Sequence, residues 1–347
     1  MSSIAAKSII TQHATRTKKY FTELPSLKVL SRPPQNDQSE VTVYVKGFLA
    51  EGDSPDNFND WMHSHRLLVL SSSHRWSPDC FRQSYSWPSG TSNHYIPIPI
   101  ASLTSTAFFL AKNSKRLKTL RFFPTPASIA GALAIDAGLH AARLAYQFNT
   151  ATQESQDRAE MLAWRLLQLR KKYDYLRIVG HSLGCRHIVE ACSLMQPDER
   201  PDSVHLCAPA LVLSDIADQI RKPNASNSND RSGSHGNSIS REDSDGSNGG
   251  GGLGRKQTLI YYSHKDITLG ILLRILLKGE QVVGEIGLHD QQQQFSLLPE
   301  EVGSFKDKKD WLDPTVKAID VSSSLGGFYI GAHTDYANKF HYFAQPF

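Results

Sequence analysis

A short apolar run followed at once by a glycine-flanked serine constrains the fold of this 347-residue chain more than any other feature. The apolar run is Leu176–Val179, and Gly180–Gly184 has the sequence Gly-His-Ser-Leu-Gly. The stretch that follows, Cys185–Met195, is compatible with a helix that ends before Pro197. A G-x-S-x-G sequence between a strand and a helix is typical of a sharp, strained turn that exposes its serine above a parallel sheet. The sequence therefore predicts a strand–turn–helix unit with Ser182 at its apex.

The rest of the chain alternates between β-branched or apolar runs and stretches with helical periodicity. We predict strands at Val41–Val45, Phe81–Trp87, Leu176–Val179, Ser203–Cys207, Thr258–Tyr262 and Ala318–Val321. We predict helices at Phe58–Leu70, Ser128–Phe148, Glu154–Lys172, Cys185–Met195 and Leu269–Leu277. Such alternation indicates a mostly parallel central sheet with helices on both faces. Together with the serine turn it predicts the α/β-hydrolase fold.

Three regions define the predicted domain organisation. Residues 1–39 are expected to form an N-terminal tail, and residues 40–347 the α/β-hydrolase domain. Residues 1–22 contain no acidic side chain, so an organelle transit segment is the alternative to a frayed basic tail. Residues 222–254 are rich in Ser, Gly and Asn and carry almost no apolar side chains. They cannot bury enough surface to offset the entropy of ordering, which predicts a disordered insertion.

Composition limits the partners that we expect. The formal net charge is only +4 and no dense basic stripe occurs, so nucleic acid is not an expected partner. The four cysteines form no CxxC pair, which argues against a zinc site. Four cysteines in a chain of this length do not indicate a disulfide scaffold, so we expect a reducing, intracellular and cytoplasmic location. No uncharged apolar run reaches about 18 residues, so we predict no membrane span, while peripheral membrane contact stays open.

A serine at such a turn becomes nucleophilic only with a base, which an acidic residue in turn orients. In this fold the three residues follow one another as Ser, Asp or Glu, then His. Asp266 follows the predicted strand Thr258–Tyr262 after a short polar loop, and we predict that it is the acid. Asp215 and Asp218 are the alternatives, and a helix N-cap is the structural alternative for Asp266.

The base is expected in a loop after the last strand, where His333 lies within Gly331–Tyr336. His341 is the alternative, whereas His289 precedes the predicted last strand. His181 comes directly before the serine on the same turn, so we interpret it as a turn residue and not as the base.

Two backbone amides are expected to stabilise an oxyanion. Leu183 follows the serine and supplies the first amide. Phe48 follows Gly47 in the loop after the early strand and supplies the second. Chemistry of this kind requires no metal or organic cofactor. Candidates for a lid or acyl pocket, which could equally be core residues, are Phe108, Phe109, Phe122 and Phe123.

Four stretches of the chain resemble, in order, a known family of α/β-hydrolases. They are VTVYVKGFLAEGDSPDNFNDW, VGHSLGCR, YYSHKDITLGILLRI and GAHTDY, and the resemblance covers roughly residues 40–342. The family is the one named domain of unknown function 726, which includes the transmembrane-and-coiled-coil proteins of animals. The resemblance implies that Ser182, Asp266 and His333 occupy triad positions. This chain departs from the family in lacking a predicted membrane span and in its Ser/Gly/Asn insertion.

Two classes of function are compatible with these features. The first is a serine hydrolase, esterase or lipase-like, that acts on a small-molecule ester or lipid through an acyl-enzyme intermediate. The alternative is a non-catalytic adaptor that keeps the fold for protein binding. Because an adaptor has no need of a Ser, Asp and His set in the required order, the sequence favours the hydrolase.

Overall fold

A seven-stranded sheet forms the centre of the protein. The computed structural model describes residues 25–33, 39–50, 53–72, 75–90, 145–221, 252–266, 268–274, 277, 279–288, 312–326 and 330–344. The strands are β1 (Ser26–Ser31), β2 (Glu40–Val45), β3 (Phe81–Ser86), β4 (Tyr175–His181), β5 (Ser203–Cys207), β6 (Gln257–Tyr262) and β7 (Val316–Asp320). Their order across the sheet is β1-β3-β2-β4-β5-β6-β7. Only β1 runs antiparallel to its neighbour.

Helices connect the strands. The longer ones are α1 (Asn59–Ser71), α2 (Ala159–Lys172), α3 (Leu183–Ser193) and α4 (Ile330–Phe343), and residues 145–157 are also helical. Shorter turns lie at Pro55–Phe58, Leu213–Asp215, Ala217–Ile220 and Val283–Ile286, and Thr268–Leu273 is a π-helix. The predicted α/β-hydrolase fold, a mostly parallel sheet with helices on both faces, is confirmed.

The two faces of the sheet are covered by different helix pairs. On one face, Tyr44 of β2 contacts Trp61 of α1, with ring centroids 5.6 Å apart. Tyr85 of β3 pairs with Val45 and therefore points to the other face, where it stacks on His187 of α3. Helix α1 packs with α4, and α2 packs with α3. All six residues of β2 are buried, as expected for a central strand covered on both sides.

The predicted N-terminal tail contains a strand that the sequence did not reveal. Residues 1–39 were expected to lie outside the domain, yet Ser26–Ser31 form β1 and pair with β3. This strand has no fully buried residue and lies at the edge of the sheet, so its apolar signal is weak. Residues 1–24 and 34–38 lie outside the described part of the chain.

The predicted insertion also extends too far. Its last three residues, 252–254, belong to the folded domain: Leu253 is fully buried, and Arg200 Nη1 donates to the Gly252 carbonyl at 2.7 Å. Residues 222–251 lie outside the described part of the chain. Within the described ranges, no helix combines the length and the apolar character that crossing a bilayer requires.

Candidate active site

The chain changes direction across the sheet between β2 and β4. From β2 it continues to β3 on one side, and it later returns to place β4 on the other side. In open parallel sheets, ligands bind in the crevice outside the carboxyl ends of the strands at such a switch point. The loop after β2 and the turn after β4 meet there, and these are the segments that carry Gly47 and Ser182.

Ser182 occupies a strained backbone conformation at the end of β4. Its φ is 55° and its ψ is −126°, a combination that non-glycine residues rarely adopt and that costs about 1–3 kcal/mol. The turn is fixed from the neighbouring segment: the Ser182 amide donates to the Cys207 carbonyl at 2.9 Å, and the Ala210 amide donates to the Ser182 carbonyl at 3.2 Å. The sharp strand-to-helix turn predicted for Gly180–Gly184 is therefore present.

Glycines allow the loop after β2 to lie directly against this turn. A Cβ on Gly47 would fall 2.7 Å from the Leu183 nitrogen and 2.8 Å from the Ser182 Cβ. A Cβ on Gly184 would fall 2.5 Å from the Val45 carbonyl oxygen. Real Cβ atoms do not come this close to backbone, so each segment requires a glycine where it faces the other.

Backbone strain is concentrated at this edge of the sheet. Among the described residues, three that are not glycine have a positive φ: Leu49, Ser182 and Ala208. They follow β2, β4 and β5, three adjacent strands, at their carboxyl ends. Strained backbone of this kind clusters where a fold holds functional groups in place. Sequence analysis identified only Ser182, because leucine and alanine carry no signal for positive φ.

Asp266 and His333 form a close pair, although 67 positions separate them in the sequence. Asp266 Oδ2 lies 2.7 Å from His333 Nδ1, and the Asp266 side chain is fully buried. The second carboxylate oxygen, Oδ1, accepts the Leu269 amide at 3.2 Å. The carboxylate thus serves the capping role that was the structural alternative and orients the imidazole as well.

The segment after Asp266 differs from the helix predicted at Leu269–Leu277. Thr268–Leu273 is a π-helix, and the Gly270 amide donates to the Asp266 carbonyl at 2.9 Å. Single π-helical turns often occur at functional sites. Arg274 at its end donates to Glu285, with Nε and Oε2 3.0 Å apart, which fastens the segment that carries the carboxylate.

His333 lies in a helix and not in the loop that we predicted. It belongs to the first turn of α4, where its ring centroid is 4.7 Å from that of His181. The loop was expected because Gly331 and the glycines before it disfavour helix by propensity, which packing of α4 against α1 overrides. The hydrogen bonds of these described residues include none between Ser182 Oγ and His333.

The alternative acids and base have other partners. The Asp215 carboxylate pairs with Arg186 and accepts the Val212 amide at 3.1 Å. Asp218 is exposed on a short helical turn. His341 lies two turns further along α4, where its Nδ1 is 3.3 Å from the Ser64 hydroxyl. His289 and the four phenylalanines considered for a lid lie outside the described residues.

The two predicted oxyanion amides lie on adjoining segments. Leu183 is the first residue of α3, and Phe48 follows the glycine that contacts it. The Phe48 ring packs edge-on against Phe148, with centroids 5.6 Å apart. Phe148 is buried in the core, and the partly buried Phe48 packs against it.

The thiols near the turn are not competing nucleophiles. Cys185 and Cys207 are fully buried, and desolvation raises the pKa of both well above the usual value for cysteine. A thiol reacts as its thiolate, so these two are inert. All four cysteines are free, and the described residues contain no cluster of three or more His, Cys, Asp or Glu side chains that could hold a metal ion.

The sheet order and the strained serine turn define a protein of the α/β-hydrolase fold. No family model and no curated protein matches the chain, so the resemblance to the domain of unknown function 726 family stays a prediction. Among solved structures, the apo form of esterase 2 from Thermogutta terrifontis is similar at 8% identity and a TM-score of 0.29, covering 92% of this chain and 90% of that one. The Francisella virulence factor BioJ is similar at 11% identity and a TM-score of 0.25, covering 83% and 88%. At these scores neither carries an argument about function.

Proposed function

We propose that this protein is a serine hydrolase that acts on a carboxylic ester, with Ser182 as nucleophile, His333 as base and Asp266 as the orienting acid. The observation that carries the proposal is the 2.7 Å contact between Asp266 and His333, whose carbonyl oxygen lies 2.9 Å from Nε2 of His181, the residue before the strained Ser182. An acid, an imidazole and a serine that converge from three separate segments are the parts that triad chemistry needs.

The acid fixes the state of the base. The Asp266 carboxylate accepts a hydrogen bond from Nδ1 of His333. In the neutral imidazole the proton is therefore on Nδ1, and Nε2 has the free lone pair. Nε2 takes the proton of Ser182 as the hydroxyl oxygen attacks the acyl carbonyl. The buried carboxylate then stabilises the imidazolium that forms.

The developing oxyanion is stabilised by backbone amides. The amide of Leu183 opens α3, where the helix dipole favours negative charge, and the amide of Phe48 is the second donor. Loss of one such donor typically costs about 10²–10³ in kcat. The close approach of Gly47 to the Leu183 nitrogen brings the loop that carries Phe48 next to the first donor.

The reaction is completed through an acyl-enzyme. The imidazolium of His333 gives its proton to the alcohol, which leaves as the Ser182 acyl ester forms. A water then attacks this ester while His333 accepts a proton from the water. The bond to the Ser182 oxygen breaks, His333 gives the proton to that oxygen, and the carboxylic acid product is released. No step requires a metal or an organic cofactor.

A fluorophosphonate probe tests the proposal without knowledge of the substrate, because it labels only an activated serine. We expect wild-type protein to be labelled at Ser182, located by peptide mass spectrometry, and Ser182→Ala to be unlabelled. His333→Ala should lose labelling, whereas His341→Ala should keep it, since His341 contacts Ser64 and not Asp266. Folded wild-type protein that stays unlabelled would favour the adaptor instead.

A further inference from the structure

We propose that His181 is a positioning residue that holds the main chain of the base: its Nε2–H donates to the carbonyl of His333. The inference rests on the proposed function, because it matters for catalysis only if His333 acts on Ser182. It goes beyond the three triad residues, since it gives a role to the residue immediately before the serine.

The contact itself is short and specific. His181 Nε2 lies 2.9 Å from the His333 carbonyl oxygen. A carbonyl can only accept, so Nε2 of His181 carries the proton. The two rings are 4.7 Å apart between centroids, and their planes are tilted by 44°. The serine turn and the base are thus joined by a direct hydrogen bond.

Neighbouring aromatic rings hold His181 in place for this role. Trp61 of α1 lies edge-on to its ring at 6.0 Å, and Tyr336 of α4 lies at 6.0 Å on a tilted plane. The ring is therefore fixed between α1, α4 and the end of β4. A side chain whose rotamer is locked by packing can position a neighbour accurately, which a mobile one cannot.

Two contacts together determine where His333 lies. Asp266 holds the imidazole through Nδ1, and His181 holds the backbone of the same residue through its carbonyl. The first turn of a helix is otherwise prone to fray. A displacement of a catalytic group by about 1 Å can lower the rate 10²-fold. Holding both the side chain and the backbone of His333 is therefore expected to affect the rate.

The charge state of His181 suits the same role. Desolvation, with a further contribution from His333, lowers the pKa of His181 well below its usual value, and the nearby Lys46 acts in the same direction. His181 therefore stays neutral when His333 becomes an imidazolium during turnover. A second cation at this ring distance would oppose proton transfer to the base.

The test compares His181→Phe with His181→Gln in the full chain. Phenylalanine keeps the ring packing and loses the donor, whereas the glutamine Nε2 can reach the same carbonyl. We expect His181→Phe to lower the rate of fluorophosphonate labelling, and kcat on a p-nitrophenyl ester, by about tenfold or more with KM little changed. His181→Gln should recover most of that loss. His187→Phe is the matched control, since it removes a buried histidine that donates to the Ser155 carbonyl away from the base.

A second measurement separates this inference from the proposed function. Hydrogen exchange of peptides that cover 330–337 should be faster in His181→Phe than in wild type and restored in His181→Gln. If wild type is not labelled, the proposed function fails while exchange still tests the tether. The inference would be overturned if His181→Phe were labelled and exchanged hydrogen at the same rates as wild type. It would also be overturned if His181→Phe and His181→Gln lost the same labelling rate.

Discussion

The Asp266 side chain connects the segment that follows β6 with helix α4. Its Oδ1 accepts the Leu269 amide, which fixes the segment after β6, and its Oδ2 accepts from His333 on α4. Because both oxygens are engaged and the carboxylate is buried, its direction is determined by its own backbone and cannot follow movements of the histidine. A preorganised acceptor of this kind is what a catalytic imidazole requires.

Replacing Asp266 by asparagine should reduce hydrolysis of a short p-nitrophenyl ester by roughly 10³-fold or more. The amide would favour the wrong tautomer of His333, with its lone pair directed at residue 266 and its proton at the serine. Asp215→Asn is the matched control, because that carboxylate pairs with Arg186 and should leave turnover near wild type. Loss of turnover in Asp215→Asn alone would assign the acid to Asp215.

Gly47 is a second single residue on which the site depends. We expect Gly47→Ala to lower activity by at least tenfold, because its Cβ would push the loop that carries Phe48 away from the Leu183 amide. Gly326→Ala is the control, since its Cβ would meet only Asp335 Oδ2, at an ordinary 3.4 Å. Steady-state kinetics on the two variants measures the difference. Equal activities would show that the loop after β2 can shift to accommodate the added Cβ.

At the scale of elements, packing changed two assignments that local sequence had suggested. Helix α4 contains His333 because its buried residues, including Tyr336 and Phe340, pack against α1 and the sheet. Strand β1 belongs to the sheet because its backbone pairs with β3. In both cases a long-range contact outweighs a weak local preference.

The Ser/Gly/Asn insertion gives a prediction at this scale. Replacing residues 224–250 by a flexible linker of about ten residues should leave the unfolding midpoint and the proposed esterase activity close to wild type, because loop length costs little closure entropy. A replacement that continues through residue 254 should destabilise the protein, since it removes the buried Leu253 and the contact between Arg200 and Gly252. Urea unfolding of both variants measures the difference. Equal stability would contradict the boundary drawn at residue 252.

At the scale of the whole molecule, several histidines are buried in the sheet and its helices. His205 Nδ1 lies 3.0 Å from the Tyr261 hydroxyl, and His65 Nδ1 lies 2.6 Å from the Tyr44 hydroxyl. His187 stacks on Trp87 at 4.7 Å. Desolvation lowers the pKa of all three, so the folded protein holds them neutral.

Acid should therefore destabilise the fold before most carboxylates are protonated. Burial lowers the pKa of His187 to about 4, whereas a histidine in the unfolded chain has a pKa of about 6.5. The unfolded state then binds more protons below pH 6.5, so the stabilisation is present above that pH and is lost as the pH falls towards 4. For His187 alone the loss approaches about 3 kcal/mol.

Urea unfolding between pH 6.5 and pH 5 measures this dependence. His187→Phe should reduce the slope of unfolding free energy against pH by up to about 1.4 kcal/mol per pH unit, the value for one proton. Phenylalanine can keep the stacking on Trp87, so the variant is expected to fold. Identical slopes in the variant and in wild type would show that His187 is protonated in the folded state.

The sequence by itself determined the sheet-forming runs and the serine turn. The strands β2 to β7 lie within one or two residues of their predicted bounds. The clearest signals came from β2, β4, β5 and β6, whose runs of β-branched and apolar residues are mostly buried. The turn at Ser182 was predictable because Gly180 and Gly184 mark it in the sequence, although the contact that requires Gly184, with the loop after β2, is a tertiary one. The Ser, Asp, His order was also available from the sequence.

Only the tertiary structure decided which of these residues meet. The place of Asp266 after a late strand favoured it over Asp215, but only the structure shows that Asp266 pairs with His333 and Asp215 with Arg186. The same holds for the contact of His181 with the His333 carbonyl, which joins residues 152 positions apart. Such pairings depend on how the strands order themselves and how α4 packs back on them. These long-range terms are absent from any short window of sequence.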